Sequence, residues 1–476
     1  MAIESVLREA TPSENKAFMN SNPNHASGTQ GKSGSNMCPP RLSELKKIEK
    51  AILLLCLVCV VAFAAITVKR GAFLKRPMTD AQVFFRAAWA VQSDVSIFDV
   101  ADDNGWHFHY PPTLAIALRP FANAPRGHDD LPWSLSYPVS LFIWFLLGLL
   151  ALLYAIVLFG NALDRYVLNV PLADGFFNRW WLLRLGPPLA FLCLAGHSLG
   201  RGQVTTLLLL SMVGFTVAYA DKRPMAAGLW LALGITIKIF PGILVLVPLV
   251  RRDKQCLGAI VLGCVVGLFV IPALFIGPTQ TIAVYTEWIH ERLVGIASGD
   301  AEGMSSELSP LSYDMVGFGA VFARLANLTL AEPITTLANW TRWAHWACSF
   351  ILIGMILWAG KGRAWSVTNP QPHSASGLLH FCALIMLVSV PVVTVAQAHY
   401  GTLGIPLFML LVAGKWRQQG TSGLVTKATI FGGLLWLAFL MTGFKENLLS
   451  EIGWLTFLMT GLILVGLQKF RQYQFH

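Results

Sequence analysis

Apolar residues in this chain occur in long blocks separated by short polar or basic breaks, not at the alternating spacing of half-buried strands. The blocks fall near 51–68, 138–160, 182–199, 203–220, 256–276, 338–360, 377–397, 401–414, 427–443 and 449–467. At about 1.5 Å per residue, most are long enough as helices to cross roughly 30 Å of hydrocarbon. The block 401–414 is short on this count and is expected to begin earlier. In lipid such a segment satisfies its backbone only as a helix or in a closed barrel, and blocks of this length specify helix. The pattern predicts an all-α polytopic membrane protein with about ten full spans. Residues 1–40 are rich in Ser, Asn, Gly and Pro without apolar periodicity, so 1–45 read as a disordered tail and 46–476 as one membrane domain. The first block begins near Ala51, too deep for an ordinary cleaved leader, and reads as the first span.

One block resists assignment as a single span. Residues 224–250 lie between Lys222 and Arg223 on one side and Arg251 and Arg252 on the other, and both basic clusters belong on the same face. A pair of short helices broken around Lys238 and Pro241 keeps them together, because proline removes a backbone donor and clashes with the preceding turn. Broken helices at membrane depth are tolerated where they line a cavity. With both termini cytoplasmic, the loops 161–181, 221–223, 251–255, 361–376 and 415–426 face the cytoplasm and carry most basic clusters. The loops 69–137, 200–202, 277–337, 398–400 and 444–448 then face outward. Lys69, Arg70, Lys75 and Arg76 dissent from this bias. Within the first long outer loop, 79–92 has helical apolar spacing suited to lying along the interface, and 313–330 in the second is moderately apolar.

Composition agrees. Of 476 residues, 55% are hydrophobic and 13% charged, against about 25% charged in soluble domains. The net charge of +10 comes from Lys and Arg clustered between apolar blocks, with no basic stripe or base-stacking motif, so nucleic-acid binding is excluded. Seven of the eight cysteines, from Cys56 to Cys382, lie in or beside apolar blocks, which argues against a disulfide framework or a zinc site.

Few polar residues interrupt the apolar blocks. Asp80 opens the 79–92 segment; a carboxylate there can accept a proton from a sugar hydroxyl, or it can simply cap the helix with Thr79. The run Trp106 to Pro112, containing His107, His109 and Tyr110, can wall a sugar site or form an interfacial aromatic belt. Its two histidines lack the third ligand a metal site needs. Gly200-Arg201-Gly202-Gln203 interrupts two apolar blocks, and Arg201 there can grip a phosphate bidentately or snorkel from a tight turn. Lys238, inside GITIKIFPGI, is an ionisable residue at membrane depth and suits an anionic phosphate; the alternative is a lysine snorkelling to the near surface. His399 lies between two late blocks, as a hydrogen-bonding group for the same site or a turn residue. No nucleotide-binding phosphate loop, serine elbow or HExxH motif is present.

Four segments together resemble glycosyltransferase family 87 of the GT-C superfamily, the polyprenol-phosphate-mannose-dependent mannosyltransferases. They are MTDAQVFFRAAWAVQ with IFDV and FHYPPTLAIALRPFA, then GRGQVTTLLLL, GLWLALGITIKIFPGILVLVPLVRR and PVVTVAQAHYGTLGIPL. The resemblance implies a GT-C-type helix bundle whose outer loop 69–137 carries catalysis and which acts without metal or other cofactor, with inversion at the anomeric carbon. It further implies Asp80 as general base, His399 near the same site, and Lys238, Arg201 and Gln203 at the lipid-linked donor, with His107, His109 and Tyr110 lining the sugar or acceptor. The implied partners are a polyprenyl-phosphate-sugar donor, a glycan or glycolipid acceptor and membrane lipids, at a plasma (inner) membrane with chemistry on the extracytoplasmic side. The chain departs from the family in reading SSELSPLSYDMVGFGAVFARL at 305–325 and Ala-Gln-Ala-His-Tyr around His399. The rival class is a secondary transporter or flippase for a lipid-linked or anionic substrate, which also uses a broken helix and a buried lysine. A purely structural role leaves Lys238 without explanation.

Overall fold

The apolar blocks form helices of two lengths, some long enough to cross a bilayer and others shorter. The computed structural model describes residues 43, 45–74, 80–93, 95–168, 180, 183–293, 315–329, 339–360, 373–394, 396–419, 424–442 and 453–474. Nearly all of the expected disordered tail, the 361–363 cluster and residues 305–314 of the 305–325 departure lie outside these. Every regular element among them is helical, apart from isolated bridges joining Ala101 to His107 and Met315 to Gln397.

The chain opens with α1 (Lys47–Ala72), the loop helices α2 (Ala81–Ala90) and α3 (Pro112–Ala117), and the span α4 (Tyr137–Leu163). Then come α5 (Gly186–Ala190), α6 (Leu192–Arg201), α7 (Thr205–Ala220) and α8 (Pro224–Ile237). A 3₁₀ turn, Phe240–Val245, leads to α9 (Leu246–Val250), followed by α10 (Lys254–Val265), α11 (Ile271–Ile276) and α12 (Pro278–Glu287). The last elements are α13 (Phe318–Thr329), α14 (Asn339–Gly360), α15 (His373–Val392), a 3₁₀ helix at Ala398–Gly404, α16 (Ile405–Gln419), α17 (Leu424–Thr442) and α18 (Trp454–Gln474).

Among the described residues, five helices are long and apolar enough to cross a membrane: Glu49–Ala72, Tyr137–Leu168, Lys254–Ile276, Trp340–Gly360 and Ala375–Val392. Five more apolar helices are shorter, among them Thr205–Ala220 and Pro224–Ile237. The block read as one span at 182–199 is two short helices hinged at Phe191, whose buried ring packs on Phe408 at 5.8 Å and against Gly404. Short helices survive here because their ends meet protein, not hydrocarbon; α7 is buried along nearly its whole length. The loop expected from 161 instead extends α4 by a π-turn, Asp164–Leu168. Its start is pinned by a buried ion pair, Arg184 to Asp164 at 2.6 Å, with Asn161 accepting from the same guanidinium at 2.7 Å.

The expected break in 224–250 falls at Lys238, whose extended φ of −156° and ψ of 134° end α8. Glycines bring α8 and α10 close together. A Cβ at Gly228 would stand 2.6 Å from both the Cys256 carbonyl oxygen and the Ala259 Cβ, and one at Gly263 2.5 Å from the Ala232 Cβ. Small residues at such contacts let two backbones approach within a bilayer. Gly228→Leu is therefore expected to cost about 1–3 kcal/mol or more through overpacking. Gly258→Ala, on the same helix pair but with nothing within 4 Å, should leave stability unchanged or slightly higher. Thermal unfolding of the purified protein in detergent distinguishes them; equal melting temperatures would refute the close packing.

Candidate active site

The helix expected to lie along the interface, α2, has all ten of its residues buried. The reason is polar as well as apolar. Phe84 and Phe85 pack into a cluster with Phe98, Phe108 and Trp144, while Gln82 and Arg86, one turn apart, tie the helix to the loop that follows. Arg86 pairs through Nη2 with Asp103 and donates through Nη1 to the Ala101 carbonyl at 2.7 Å. Gln82 accepts from the Asp103 backbone N–H at 3.1 Å. Burial works to raise the Asp103 carboxyl, but the hydrogen bond and charge of Arg86 outweigh it and hold that group below the usual carboxylate range. Burial prevails at Asp102, pushing its carboxyl up although the Trp106 and Asn104 N–H groups donate to it. These contacts fix the turn that presents Trp106 and, four residues on, Tyr110.

Asp80 precedes α2 but does not cap it: its side chain makes no hydrogen bond to the first turn. Its carboxylate turns instead to the α6–α7 junction. There Gly202, in the left-handed region at φ 69°, closes α6, and the Gln203 N–H returns to the Ser198 carbonyl at 2.9 Å. This reversal sets Arg201 and Gln203 beside Asp80. Arg201 donates Nε to Oδ2 and Nη2 to Oδ1, both at 2.9 Å, and its backbone carbonyl accepts from the Asp80 N–H at 2.8 Å. Gln203 Nε2 also donates to Oδ2. Each carboxylate oxygen has about two lone-pair positions, so Oδ2 is filled and Oδ1 retains one. The Arg201 fork, expected to be open to phosphate, is occupied by Asp80, with the Trp106 ring 5.0 Å from the guanidinium.

The network continues to Lys238. Gln203 Oε1 accepts from the Tyr110 hydroxyl at 3.2 Å, which accepts from Lys238 Nζ at 3.1 Å. Nζ also donates to the Tyr400 hydroxyl, and it lies 4.3 Å from the Tyr110 ring centroid and 4.8 Å from that of Tyr400. Two phenols thus flank the ammonium and use two of its three donors. No carboxylate lies within 4 Å of it among the described residues. His399, one residue before Tyr400 in the 3₁₀ helix, is wholly buried, and neither ring nitrogen finds a hydrogen-bond partner among the described residues. Its ring centroid lies 6.1 Å from that of His197. His107 bridges to Ala101, and the His109 carbonyl accepts from Trp288 Nε1 at 3.1 Å.

The structure therefore joins Asp80, Arg201, Gln203, Tyr110 and Lys238, five residues singled out from the sequence, in one hydrogen-bonded chain. Tyr400 was not singled out, although it stands beside His399 in an otherwise apolar stretch. Neither was Arg86, for which the signal is a Gln82–Arg86 pair at helical spacing on a helix otherwise apolar, and Asp103 stood out only as part of the polar 99–103 stretch.

Replacing Arg86 by Leu leaves the Asp103 carboxylate with only the exposed Arg126 at 3.1 Å and the Gln82 amide at 3.3 Å, and is expected to cost about 1.5–3 kcal/mol. Because the Asp103 carboxyl is held low in the folded protein, its contribution is present above the ordinary carboxylate pKa and is lost as pH falls through the depressed value. The gap in melting temperature between wild type and Arg86→Leu should be wide at neutral pH and narrow under strongly acidic conditions. A gap independent of pH would mean that packing, not the ion pair, holds the loop.

No curated protein and no solved structure matches the chain. The sequence pattern of glycosyltransferase family 87 matches residues 108–391, more than half of it. The match includes Tyr110, Arg201, Gln203 and Lys238, while Asp80 precedes it and His399 and Tyr400 follow it. A chain with this match and these membrane-spanning helices belongs to glycosyltransferase family 87.

Proposed function

We propose that this glycosyltransferase moves a hexose, with mannose as the expected sugar, from a polyprenyl-phosphate donor to an extracytoplasmic glycan or glycolipid. The observation that carries the reading is the surplus cation. Asp80 pairs with Arg201, and Lys238 donates to two phenols, so the joined groups hold two basic side chains against one carboxylate. An ionisable group at such a position is expensive unless it serves a ligand, and an anionic phosphate is the complementary one. The third Nζ donor of Lys238 is the group left to meet it.

In this reading the acceptor hydroxyl gives its proton to Oδ1 of Asp80, the oxygen with a lone pair to spare, as its oxygen attacks the anomeric carbon. The bond from that carbon to the phosphate oxygen breaks, and Lys238 stabilises the charge that grows on the departing phosphate. Attack opposite the leaving group turns a β-linked donor into an α-glycoside. Arg201 and Gln203 hold Asp80 and do not themselves hold the phosphate. Gln203 and Tyr110 stand between base and cation in the hydrogen-bonded chain, as groups on opposite sides of a sugar ring require. His399 supplies one donor and one acceptor in its neutral form, and an orphaned buried polar group costs about 1–3 kcal/mol, which a sugar hydroxyl or phosphate oxygen would offset. The chemistry needs no metal or other cofactor, since the cation is supplied by the protein and the lipid phosphate-sugar is a co-substrate. The site would face the extracytoplasmic side of a plasma (inner) membrane.

Asp80→Asn, assayed in detergent with lipid-phosphate-mannose and a glycan acceptor, should lose about 10²–10⁴ in turnover. Lys238→Met should raise KM for the donor and lower kcat together. Turnover by Asp80→Asn within about tenfold of wild type would eliminate general-base catalysis by this carboxylate.

A further inference from the structure

The end of α8 far from Lys238 carries a second concentration of charge. Two turns lie there, one joining α7 to α8 and one joining α9 to α10, and both close in the same way. At the first, the Lys222 N–H returns to the Tyr219 carbonyl at 3.1 Å and the Arg223 N–H to the Ala218 carbonyl at 2.9 Å. At the second, the Arg252 N–H returns to the Leu249 carbonyl at 3.1 Å and the Asp253 N–H to the Pro248 carbonyl at 2.9 Å. This closure puts one residue of each turn in the left-handed region, a position usually held by glycine. Here the residues are basic: Lys222 at φ 59° and Arg252 at φ 53°. The helices that leave the two turns are in contact from the start, since a Cβ on Gly228 of α8 would stand 2.6 Å from the Cys256 carbonyl oxygen of α10.

The carboxylates in these two turns are already engaged. Asp221 pairs with Arg165 at 3.2 Å and accepts from the Tyr166 hydroxyl at 2.7 Å, while Asp253 accepts from the Cys256 N–H at 3.0 Å and so caps α10. Arg251 lies over the Tyr219 ring, 5.4 Å from its centroid. Lys222, Arg223, Arg252 and Lys254 are exposed, and their side chains have no hydrogen-bond or ion-pair partner among the described residues. The surface that continues from these cations is apolar. Met225, Leu249 and Val250 stand beside them at 47%, 55% and 45% exposure, and α10 opens one of the membrane-crossing segments. Cations at the edge of a lipid-facing surface lie at the level of the head groups, where anionic lipids attract them. A partner free in water would leave that apolar edge uncovered.

We infer that these paired turns bind the phosphate of an anionic phospholipid head group, at the opposite end of α8 from the catalytic network. Glycine at 222 and 252 would relieve the backbone, and the two side chains make no contact that the fold needs. A ligand accounts for basic residues that the turns by themselves disfavour. The inference needs neither donor nor acceptor, so it stands apart from the transferase reading.

The test uses the purified full-length protein in uncharged detergent, titrated with phosphatidylglycerol or phosphatidylcholine and read by native mass spectrometry and thermal unfolding. Phosphatidylglycerol should bind and raise the melting temperature, and phosphatidylcholine should do neither. Lys222→Gly combined with Arg252→Gly should melt about 2–4 °C above wild type without added lipid, because the left-handed strain is gone. The same variant should bind phosphatidylglycerol at least about tenfold more weakly, since each cation beside an anionic surface is worth about fivefold. Lys222→Arg combined with Arg252→Lys, which keeps both charges, should bind as wild type does. Equal binding of phosphatidylcholine, or undiminished binding of phosphatidylglycerol by the glycine variant, would overturn the inference. Displacement of the lipid by glycerol 3-phosphate at the same concentration would overturn it too, in favour of a soluble phosphate. A glycine variant that melts below wild type without lipid would assign the two side chains to the fold and remove the argument for a ligand.

Discussion

The site is organised around one ammonium group that has been taken partly out of water without a carboxylate beside it. Lys238 ends α8 in extended geometry, and two tyrosines from distant parts of the chain converge on its Nζ, one from the first loop and one from a late 3₁₀ helix. Phenol oxygens accept its hydrogen bonds and phenol rings offer their negative faces, which compensates part of the desolvation without a counter-charge. An aspartate in place of either tyrosine would have made a better-compensated pair and a worse anion site. The helix breaks at the same residue: Lys238 leaves α8 in extended geometry, whereas a continuous 224–250 helix would carry the basic clusters at 222–223 and 251–252 to opposite ends of one rod.

Asp80 shows the complementary arrangement. One of its partners is charged and the others are neutral: a two-pronged guanidinium, an amide, and a backbone tie from the Arg201 carbonyl. Arg201 cannot serve both this carboxylate and a phosphate with the same fork. The consequence is a division of labour among cations that look alike in a sequence. One is spent on orienting a carboxylate, and the other keeps its charge available.

Much of this was legible before any coordinates. Ionisable residues are scarce in the apolar blocks, so Lys238 and Arg201 stood out, and Pro241 with the flanking basic clusters located the break. The pairing of Asp80 with Arg201 was not legible, because it is made across 121 positions by a turn whose direction depends on Gly202 adopting a left-handed conformation. Periodicity also misread α2. Its apolar spacing suggested a helix with one face in the interface, whereas the 95–124 segment wraps its other side and supplies Asp103 and Ala101 to its two polar residues. The block 182–199 looked like a span by length alone; nothing in its composition reveals that Phe191 packs into a space left by Gly404. Hydropathy reports how much apolar surface a segment has, not whether lipid or protein covers it.

The two halves of the network belong to differently built walls, which bears on how a reaction between a lipid and a polar acceptor can be arranged. Asp80 is carried by a loop that is rigid because it is buried and cross-tied through Arg86, Gln82 and Asp102. Lys238 is carried by a helix end whose other surface borders an apolar cavity open to lipid. Under the proposed reading, the base sits where a water-borne hydroxyl can be oriented and the cation where a membrane-borne phosphate can arrive laterally. Gln203 and Tyr110 keep the two in register through hydrogen bonds rather than direct contact. Under the proposed reading Asp80, already paired with Arg201, and Lys238, held by two phenols, act on different bonds of the same anomeric carbon, the one that forms and the one that breaks.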